Sequence, residues 1–385
     1  MKLRMIAGFT IFFIIYSLLV LYIGWNGWVW IKSVGVPQPS VLLYGAIVFI
    51  LAFSYLLGRA KFRMPIFTII GSYWFGIFQY ALLLLPLADV AAFILIETGF
   101  PSGKVIFWTG LIVLAVFAVL FVYGTYNAYS PVIRNYSIAI PKQAGGRQKL
   151  KIAMASDMHF GNLSGLAHLR RLVEIANGIK PDIILLPGDI IEDDLEPFIR
   201  KKMGEVMKGL SAPLGVYGVL GNHEYYGGAI PEFVQEMDRV GIRILQDDVI
   251  EIDDSFFLAG RKDKTDKFRQ GMNDLLAATD PSMPIIMMDH QPAEVSIAAE
   301  NSVDLLLCGH THRGQMAPNH FITKKLFEID WGYLKKGELH TIVSSGFGFW
   351  GPPLRLGSRS EIIEIDVAFA EETEPHYNKN EGAIL

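Results

Sequence analysis

The sequence predicts a chain in two parts, a membrane anchor of four α-helices followed by an α/β domain. Four long apolar runs occupy the first third of the chain, and few charged residues interrupt them. Further along, five short apolar runs each stop at a cluster of Asp, Asn or His. Short apolar runs bounded by Gly and Pro are typical of buried strands. We therefore expect a transmembrane region over 1–129, a linker and entry strand over 130–147, the α/β domain over 148–368 and a polar tail over 369–385.

The four apolar runs are each about long enough to cross a bilayer as a helix, which takes roughly 20 residues. One such run could be a buried helix of a soluble domain, but four together indicate an integral protein of the cell membrane. A tryptophan cluster after the first run is typical of an interfacial anchor. The predicted spans are Leu3–Ile23, Val41–Gly58, Pro65–Pro86, which can extend toward Ile96, and Val105–Tyr123.

The basic residues between these runs predict the orientation of the chain. One side carries Lys2 and Arg4, then Arg59, Lys61 and Arg63, then Arg134, Lys142, Arg147, Lys149 and Lys151. The other side carries only Lys32 and Lys104. The positive-inside rule therefore places both termini and the α/β domain on the cytoplasmic side. An odd number of spans would instead move that domain outside.

The polar clusters at the ends of the five short runs contain metal-binding side chains. Ligands of open α/β sheets gather at the carboxyl ends of strands, so these clusters are expected to meet. Imidazoles mixed with carboxylates suit Mn, Fe, Zn or Co, whereas an all-oxygen set favours Mg or Ca. A carboxylate can bridge two ions roughly 3.5–4 Å apart. The clusters are Asp157-Met158-His159, Gly188-Asp189, Gly221-Asn222-His223-Glu224, Asp289-His290 and Gly309-His310-Thr311-His312.

In their order and wording, these five blocks resemble the calcineurin-like metallophosphoesterases, whose signature is D-x-H, G-D, G-N-H-[DE], a single His and G-H-x-H. The resemblance covers about residues 148 to 366 and includes Ser344–Gly348 and Arg355 near its end. The wording is most similar to the bacterial membrane-associated phosphodiesterase branch. The family fold is a two-sheet α/β sandwich with helices outside, so the resemblance implies that architecture here.

The resemblance also implies a role for each residue. Asp189 would bridge two metal ions, and His223 would be the general acid that protonates the leaving alkoxide. A metal-bridging hydroxide would then attack a phosphodiester or phosphomonoester in line. The implied ligands of the first ion are Asp157, His159, Asp189 and His312, and those of the second are Asp189, Asn222, His290 and His310.

Two positions depart from the family pattern. Glu224 stands where the family more often has Asp, and we expect it to orient His223. Arg313 stands where relatives often have Gly, and its guanidinium would suit a phosphate oxygen or could point to solvent. Outside the motifs, we expect His168 on the surface of a helix over Leu166–Ile179, and the pair Asp193-Asp194 in a solvated loop.

Composition sets further limits. The first 129 residues hold seven basic and two acidic residues of the 34 and 38 in the chain, so the remainder is acidic. An acidic remainder leaves no basic footprint for nucleic acid. The single cysteine, Cys308, excludes an internal disulfide and is expected to lie in the core.

These observations favour a membrane-anchored binuclear-metal phosphoesterase whose substrate could be lipid-linked. One alternative is a membrane sensor or scaffold with an inactive phosphoesterase-like domain, although the complete ligand set argues against loss of activity. A transporter with a fused enzyme is a weaker alternative, because the spans lack the midplane charges expected of a translocation site.

Overall fold

The computed structural model describes residues 2–35, 37–58 and 64–370. The basic residues Arg59, Lys61 and Arg63 and nearly all of the predicted polar tail lie outside the described residues. The chain divides into two compact units. One unit comprises the chain up to Tyr129 together with Trp350–Leu356, and the other comprises Ser130–Phe349 and the chain from Gly357 onward.

The first unit consists of four helices that are long and apolar enough to cross a membrane. They are α1 (Lys2–Ser33), α2 (Val41–Gly58), α3 (Pro65–Glu97) and α4 (Ser102–Tyr129). Most are longer than the predicted spans, because the apolar pattern continues through flanking aromatic residues; α1 runs through the Trp25–Trp30 segment. Helix α3 includes the predicted extension toward Ile96.

Small residues let these helices and the Trp350–Leu356 segment pack closely. A Cβ on Gly71 of α3 would lie 2.3 Å from the backbone nitrogen of Tyr55 in α2, so only glycine fits there. A Cβ on Gly76 would lie 2.6 Å from the Leu354 side chain. Helix α4 also holds this segment through its backbone, since Arg355 N donates to Gly124 O at 2.9 Å. Close approach through small residues is a common way for apolar helices to pack.

The second unit contains twelve described strands and eight described α-helices. The strands are β1 (Val132–Ile140), β2 (Lys149–Met154), β3 (Ile183–Pro187), β4 (Val216–Val219), β5 (Ile242–Ile244), β6 (Asp248–Ile252), β7 (Phe256–Gly260), β8 (Ile285–Met288), β9 (Leu305–Cys308), β10 (Gly332–Lys336), β11 (Leu339–Val343) and β12 (Glu361–Phe369). The helices are α5 (Leu166–Gly178), α6 (Glu196–Arg200), α7 (Met203–Met207), α8 (Asn222–Gly227), α9 (Ile230–Arg239), α10 (Met272–Leu276), α11 (Val295–Glu300) and α12 (His320–Leu326).

The strands form two mixed sheets of six strands each. The first has the order β1-β12-β2-β3-β4-β5, and the second has the order β10-β11-β9-β8-β7-β6. Strands β2 to β5 run parallel to one another, and so do β7, β8, β9 and β11. The strands at these positions are predominantly buried, which explains why the sequence shows continuous apolar runs there instead of alternation.

A shared core between the two sheets joins them into a sandwich. Ile152, Leu185 and Val219 of the first sheet lie in one buried cluster with Met288 and Leu307 of the second. Separate clusters cover the outer faces, where α5 to α9 contribute to one and α10 and α11 to the other. The two-sheet α/β sandwich implied by the sequence is therefore confirmed, and Cys308 lies in the core as expected.

One surface expectation is wrong. His168 on α5 is 1% exposed, and its Nε2 lies 3.0 Å from the carbonyl oxygen of Phe347. The imidazole also stacks on the Phe347 ring, with centroids 4.2 Å apart. The neighbouring residues Arg170 and Arg171 are exposed, whereas His168 contacts the loop that follows β11.

Candidate metal centre

The polar clusters follow five strands that end at one edge of the sandwich. Asp157 and His159 follow β2, Asp189 follows β3, and Asn222 and His223 open α8 after β4. In the second sheet, one histidine follows β8 and two follow β9. The parallel direction of these strands brings their carboxyl ends, and hence the side chains, together.

The first group of potential ligand atoms comprises Asp157, His159 and His312. The Nε2 atoms of the two histidines lie 3.0 Å apart, and His312 Nε2 lies 3.6 Å from Asp157 Oδ1. Asp189 Oδ2 is 3.8 Å from His159 Nε2. When several ligand atoms each lie about 2.0–2.2 Å from one divalent ion, the distances between those atoms are similar to the 3.0–3.8 Å contacts observed here. These four residues therefore fit a metal ion in their donor chemistry and spacing.

The second group comprises Asp189, His290 and His310. His290 Nε2 lies 3.0 Å from Asp189 Oδ2 and 3.2 Å from Asn222 Oδ1. His290 Nδ1 donates to the carbonyl oxygen of Pro187 at 2.8 Å, so Nε2 is the ring nitrogen that would bind a metal after losing its proton. Because Asp189 belongs to both sets of contacts, its carboxylate stands between the two groups.

Five of the seven candidate ligands have a left-handed backbone. Their φ angles are 52° at Asp157, 46° at His159, 50° at Asp189, 72° at His310 and 48° at His312. Residues other than glycine rarely adopt this conformation, and such strain concentrates at functional sites. The surrounding sheets hold the backbone in conformations that turn these side chains toward one another.

Glycines in the motifs make room for the two aspartates. A Cβ on Gly309 would lie 2.2 Å from Asp157 Oδ2, and a Cβ on Gly221 would lie 2.1 Å from Asp189 Oδ1. Neither carboxylate is on a flexible surface, so a larger residue would displace it. The glycines that precede the His and Asn blocks are thus required by close approach to the aspartates.

Burial and neighbouring charges shift the pKa values of the groups in the centre. Burial would raise the pKa of the Asp189 carboxyl, but the nearby imidazoles of His290, His159 and His223 outweigh it and lower the pKa. Burial raises the pKa of Asp157, with His290 opposing that rise. Burial and the His290 charge lower the pKa of His310 to about 4, so this imidazole is neutral at neutral pH. Neutral imidazoles and ionised carboxylates are the forms that bind metal.

Two acidic residues that sequence reasoning did not select lie beside the centre. Asp193 Oδ1 is 2.6 Å from His223 Nδ1, and Glu192 Oε2 is 3.0 Å from His159 Nδ1. The expectation of a solvated loop is therefore wrong for Asp193, although Asp194 is exposed. The only sequence signal for these two residues is their position in an acidic run directly after the Gly188-Asp189 block.

Glu224 contacts the backbone of the metal-binding loops. Its carboxylate accepts hydrogen bonds from the N–H groups of Gly221 at 2.7 Å, Ile191 at 3.0 Å and Asp189 at 3.2 Å. Burial and the Asp189 charge raise the pKa of Glu224 to about 8. The expected role of Glu224 in orienting His223 falls instead to Asp193, because Asp193 is the carboxylate that reaches the imidazole.

Arg313 points its guanidinium over the indole of Trp331, 4.0 Å from the ring centroid. Its backbone N–H donates to Thr311 Oγ1 at 3.2 Å, and its φ angle is 51°. The side chain is half-buried, so it is neither fully solvated nor enclosed in the core.

Comparison with known proteins agrees with this geometry. The profile described as Calcineurin-like phosphoesterase matches residues 150–314. A metallophosphoesterase from Aquifex aeolicus is 30% identical over 253 residues, which are 64% of this chain and 95% of that protein. The chain belongs to the calcineurin-like phosphoesterase family. It is accordingly a metal-dependent phosphoesterase, and the predicted family and fold are confirmed.

The chain is also similar to other proteins. A transmembrane protein with a metallophosphoesterase domain from Danio rerio is 29% identical over 286 residues, which are 70% of this chain and 64% of that protein. A solved structure from Thermus thermophilus has 14% identity and a TM-score of 0.37, over 50% of this chain and 88% of that one. The Danio rerio relative and the four apolar helices together suggest a membrane protein.

Proposed function

We propose that this chain is a membrane-anchored phosphoesterase with two divalent metal ions, acting on a phosphodiester or phosphomonoester that can be lipid-linked. The observation that carries the proposal is the position of Asp189 between two groups of imidazole and carboxylate atoms, 3.0 Å from His290 Nε2 and 3.8 Å from His159 Nε2. Two such groups sharing one carboxylate suit a pair of ions better than a single ion.

These contacts support the proposed assignment of ligands. One ion would be held by Asp157, His159, Asp189 and His312, and the other by Asp189, Asn222, His290 and His310. Two bound divalent ions would lower the pKa of a shared water and neutralise charge on the phosphate. The mixed nitrogen and oxygen donors suit Mn, Fe or Zn.

His223 is the proposed general acid. Its Nδ1 is paired with Asp193 Oδ1, and Nε2 is the nitrogen proposed to deliver a proton to the leaving oxygen. Its backbone N–H donates to Asp189 Oδ1 at 2.9 Å, which places the imidazole beside the bridging carboxylate. The side chain is 10% exposed, so a substrate oxygen can reach it.

Arg313 is the proposed phosphate-binding residue. Stacking on Trp331 uses the flat face of the guanidinium and leaves its N–H edge for hydrogen bonds. A guanidinium edge pairs well with two phosphate oxygens. Arg313 follows His312 directly in the chain, so it stands next to a proposed ligand of the first ion.

The catalytic domain is proposed to lie on the cytoplasmic side of the cell membrane. Four helices return the chain to the side on which it started, and the basic residues favour the cytoplasm for that side. The substrate would then be a cytoplasmic phosphoester or a lipid phosphate of the inner leaflet.

The proposal is tested with the purified full-length protein in detergent, reconstituted with Mn²⁺, Fe²⁺ or Zn²⁺. We expect about two ions per chain and hydrolysis of bis-(p-nitrophenyl) phosphate or p-nitrophenyl phosphate. The Asp157→Asn variant should lose both. Binding of two ions without turnover of either ester would favour the scaffold alternative. Comparison of membrane lipids and soluble phosphoesters with and without the gene would then identify the substrate.

A further inference from the structure

Helix α12 is a surface helix without a buried apolar face. None of its seven residues is buried. Phe321 is 63% exposed, Ile322 59% and Leu326 70%. Surface helices of globular domains normally turn such residues toward the core. Three large apolar side chains on one short exposed helix therefore indicate a surface that meets something other than water.

The polar residues of α12, and not its apolar ones, attach it to the catalytic unit. Thr323 Oγ1 donates to Asp330 Oδ2 at 2.6 Å. A Cβ built on Gly357 would lie 3.7 Å from His320 Nδ1, so that side of α12 meets the domain. Ile322 and Leu326 are four residues apart and share a face of the helix. This face, with Phe321 beside it, is directed away from the attachment.

Two lysines accompany the apolar residues. Lys324 and Lys325 are exposed and lie in the last turn of α12. Among the ion pairs formed by the described residues, none involves either lysine. Lysine ammonium groups next to exposed Phe, Ile and Leu are the combination found in helices that lie in the interface of an anionic bilayer.

The same segment is connected to the candidate metal centre. The ring of Phe327, the residue after α12, lies edge-on to the imidazole of His310, with centroids 5.9 Å apart. Thr311, between the two histidines of its motif, donates its hydroxyl to the carbonyl oxygen of Asp330. The segment that follows α12 therefore contacts a residue of the second metal group.

We propose that α12 docks on the surface of an anionic lipid bilayer, with Phe321, Ile322 and Leu326 inserted among the lipids and Lys324 and Lys325 at the phosphate groups. Lipid is favoured over a protein partner because the same chain carries four helices apolar enough to cross a membrane. Docking would present the metal centre to phosphate esters at the bilayer surface, and it goes beyond the proposed hydrolysis itself.

A single fluorescent label tests the docking. Cys308 is fully buried, so the Leu326→Cys variant offers one accessible thiol for an environment-sensitive nitrobenzoxadiazole dye. The full-length protein is placed in nanodiscs of phosphatidylcholine with or without phosphatidylglycerol. We expect blue-shifted emission and quenching by nitroxide lipids, both stronger with phosphatidylglycerol. A Lys180→Cys label, before β3 and at the opposite end of that strand from Asp189, is the control and should remain in water.

Two further variants in the Leu326→Cys background separate the contributions. Phe321→Ser with Ile322→Ser should return the label to water, and Lys324→Gln with Lys325→Gln should abolish the difference between the two lipid compositions. Thermal unfolding of both variants should match that of the parent, since all four side chains are exposed. A label in water in both kinds of nanodisc would overturn the proposal. A label protected from lipid and aqueous quenchers alike would also overturn it, because a protein or second copy would then cover α12.

Discussion

The imidazole of His223 is held by Asp193, whose Oδ1 lies 2.6 Å from Nδ1. Burial opposes a charged imidazole, but the hydrogen bond to Asp193 and the charges of Asp189 and Glu192 raise the pKa of His223 to about 9. A group protonated at neutral pH is suited to give a proton to a leaving oxygen. In the proposed mechanism, Asp193 is therefore a positioning residue that acts through His223.

Replacing Asp193 with Asn should shift the pH dependence of turnover. The proposed acid works only when protonated, so activity is present below its pKa and is lost as pH rises through it. Asp193→Asn removes the carboxylate that helps to raise the pKa of His223. The alkaline limb of the pH profile, where activity falls as pH rises, should therefore move to lower pH. The pH profile of kcat on a phosphodiester measures this shift. Asp194→Asn, one residue away and exposed, is the matched control; an unchanged alkaline limb in Asp193→Asn would disprove the coupling.

Removing the imidazole should separate acid catalysis from metal binding. His223→Ala should retain both ions and slow esters with poor leaving groups by about 10²–10⁴-fold, the usual contribution of a general acid. Nitrophenolate leaves without much protonation, so nitrophenyl esters should lose less. Metal analysis combined with turnover of an alkyl and a nitrophenyl ester checks this. Equal losses on both esters, or loss of metal, would assign His223 a different role.

The shared carboxylate should control the occupancy of both metal groups. Asp189 contacts His290 and His159 and accepts the backbone N–H of His223. Asp189→Asn should therefore lower the metal content from two ions toward none and remove nearly all turnover. Elemental analysis of the purified protein measures this, with Asp280→Asn on the exposed surface as the control. Retention of two ions at normal activity would contradict the bridging role.

The strands were predictable because a strand that is buried on both faces has a continuous run of apolar residues in the sequence. The predicted apolar runs, 150–155, 183–186, 216–220, 285–288 and 305–307, agree with β2, β3, β4, β8 and β9 to within one residue at each end. The motif residues were predictable because they come directly after these runs. The structure brings them together without contradicting the proposed ligand sets, although their individual roles stay predictions.

The contacts between distant residues were not predictable in this way. His168 has the helical position of a surface residue, but a loop about 180 positions later in the chain covers it. Asp193 and Asp194 are adjacent residues of the same type, so the sequence does not distinguish them. Asp193 is the partner of His223 because α8, which carries His223, packs close to Asp193 in the fold. Arg313 is similar, since its contact with Trp331 depends on the loop that follows α12.

Glu224 should stabilise the centre through its backbone contacts. Both oxygens accept N–H groups, from Gly221 and Asp189 on one and from Ile191 on the other. Glu224→Gln places an amide N–H₂ against at least one of these donors, which leaves a buried N–H without an acceptor. The expected cost is about 1–3 kcal/mol of unfolding free energy. Thermal unfolding of the metal-free protein measures it, and Glu232→Gln on the exposed surface of α9 is the control. An unchanged unfolding temperature would show that these hydrogen bonds contribute little.

The side of the membrane on which the metal centre lies can be read with reporter fusions. Four helices that start on the cytoplasmic side return the chain to the cytoplasm after Tyr129, and five basic residues within about the next 25 positions favour that side. The segment between α1 and α2, near Pro39, and the turn between α3 and α4 should then face outward. Alkaline phosphatase, which is active only outside the cytoplasm, should be silent when fused after Leu385 and active when fused after Pro39. Activity at Leu385 would instead place the metal centre outside the cytoplasm, and the candidate substrates would become phosphoesters of the outer leaflet or cell wall.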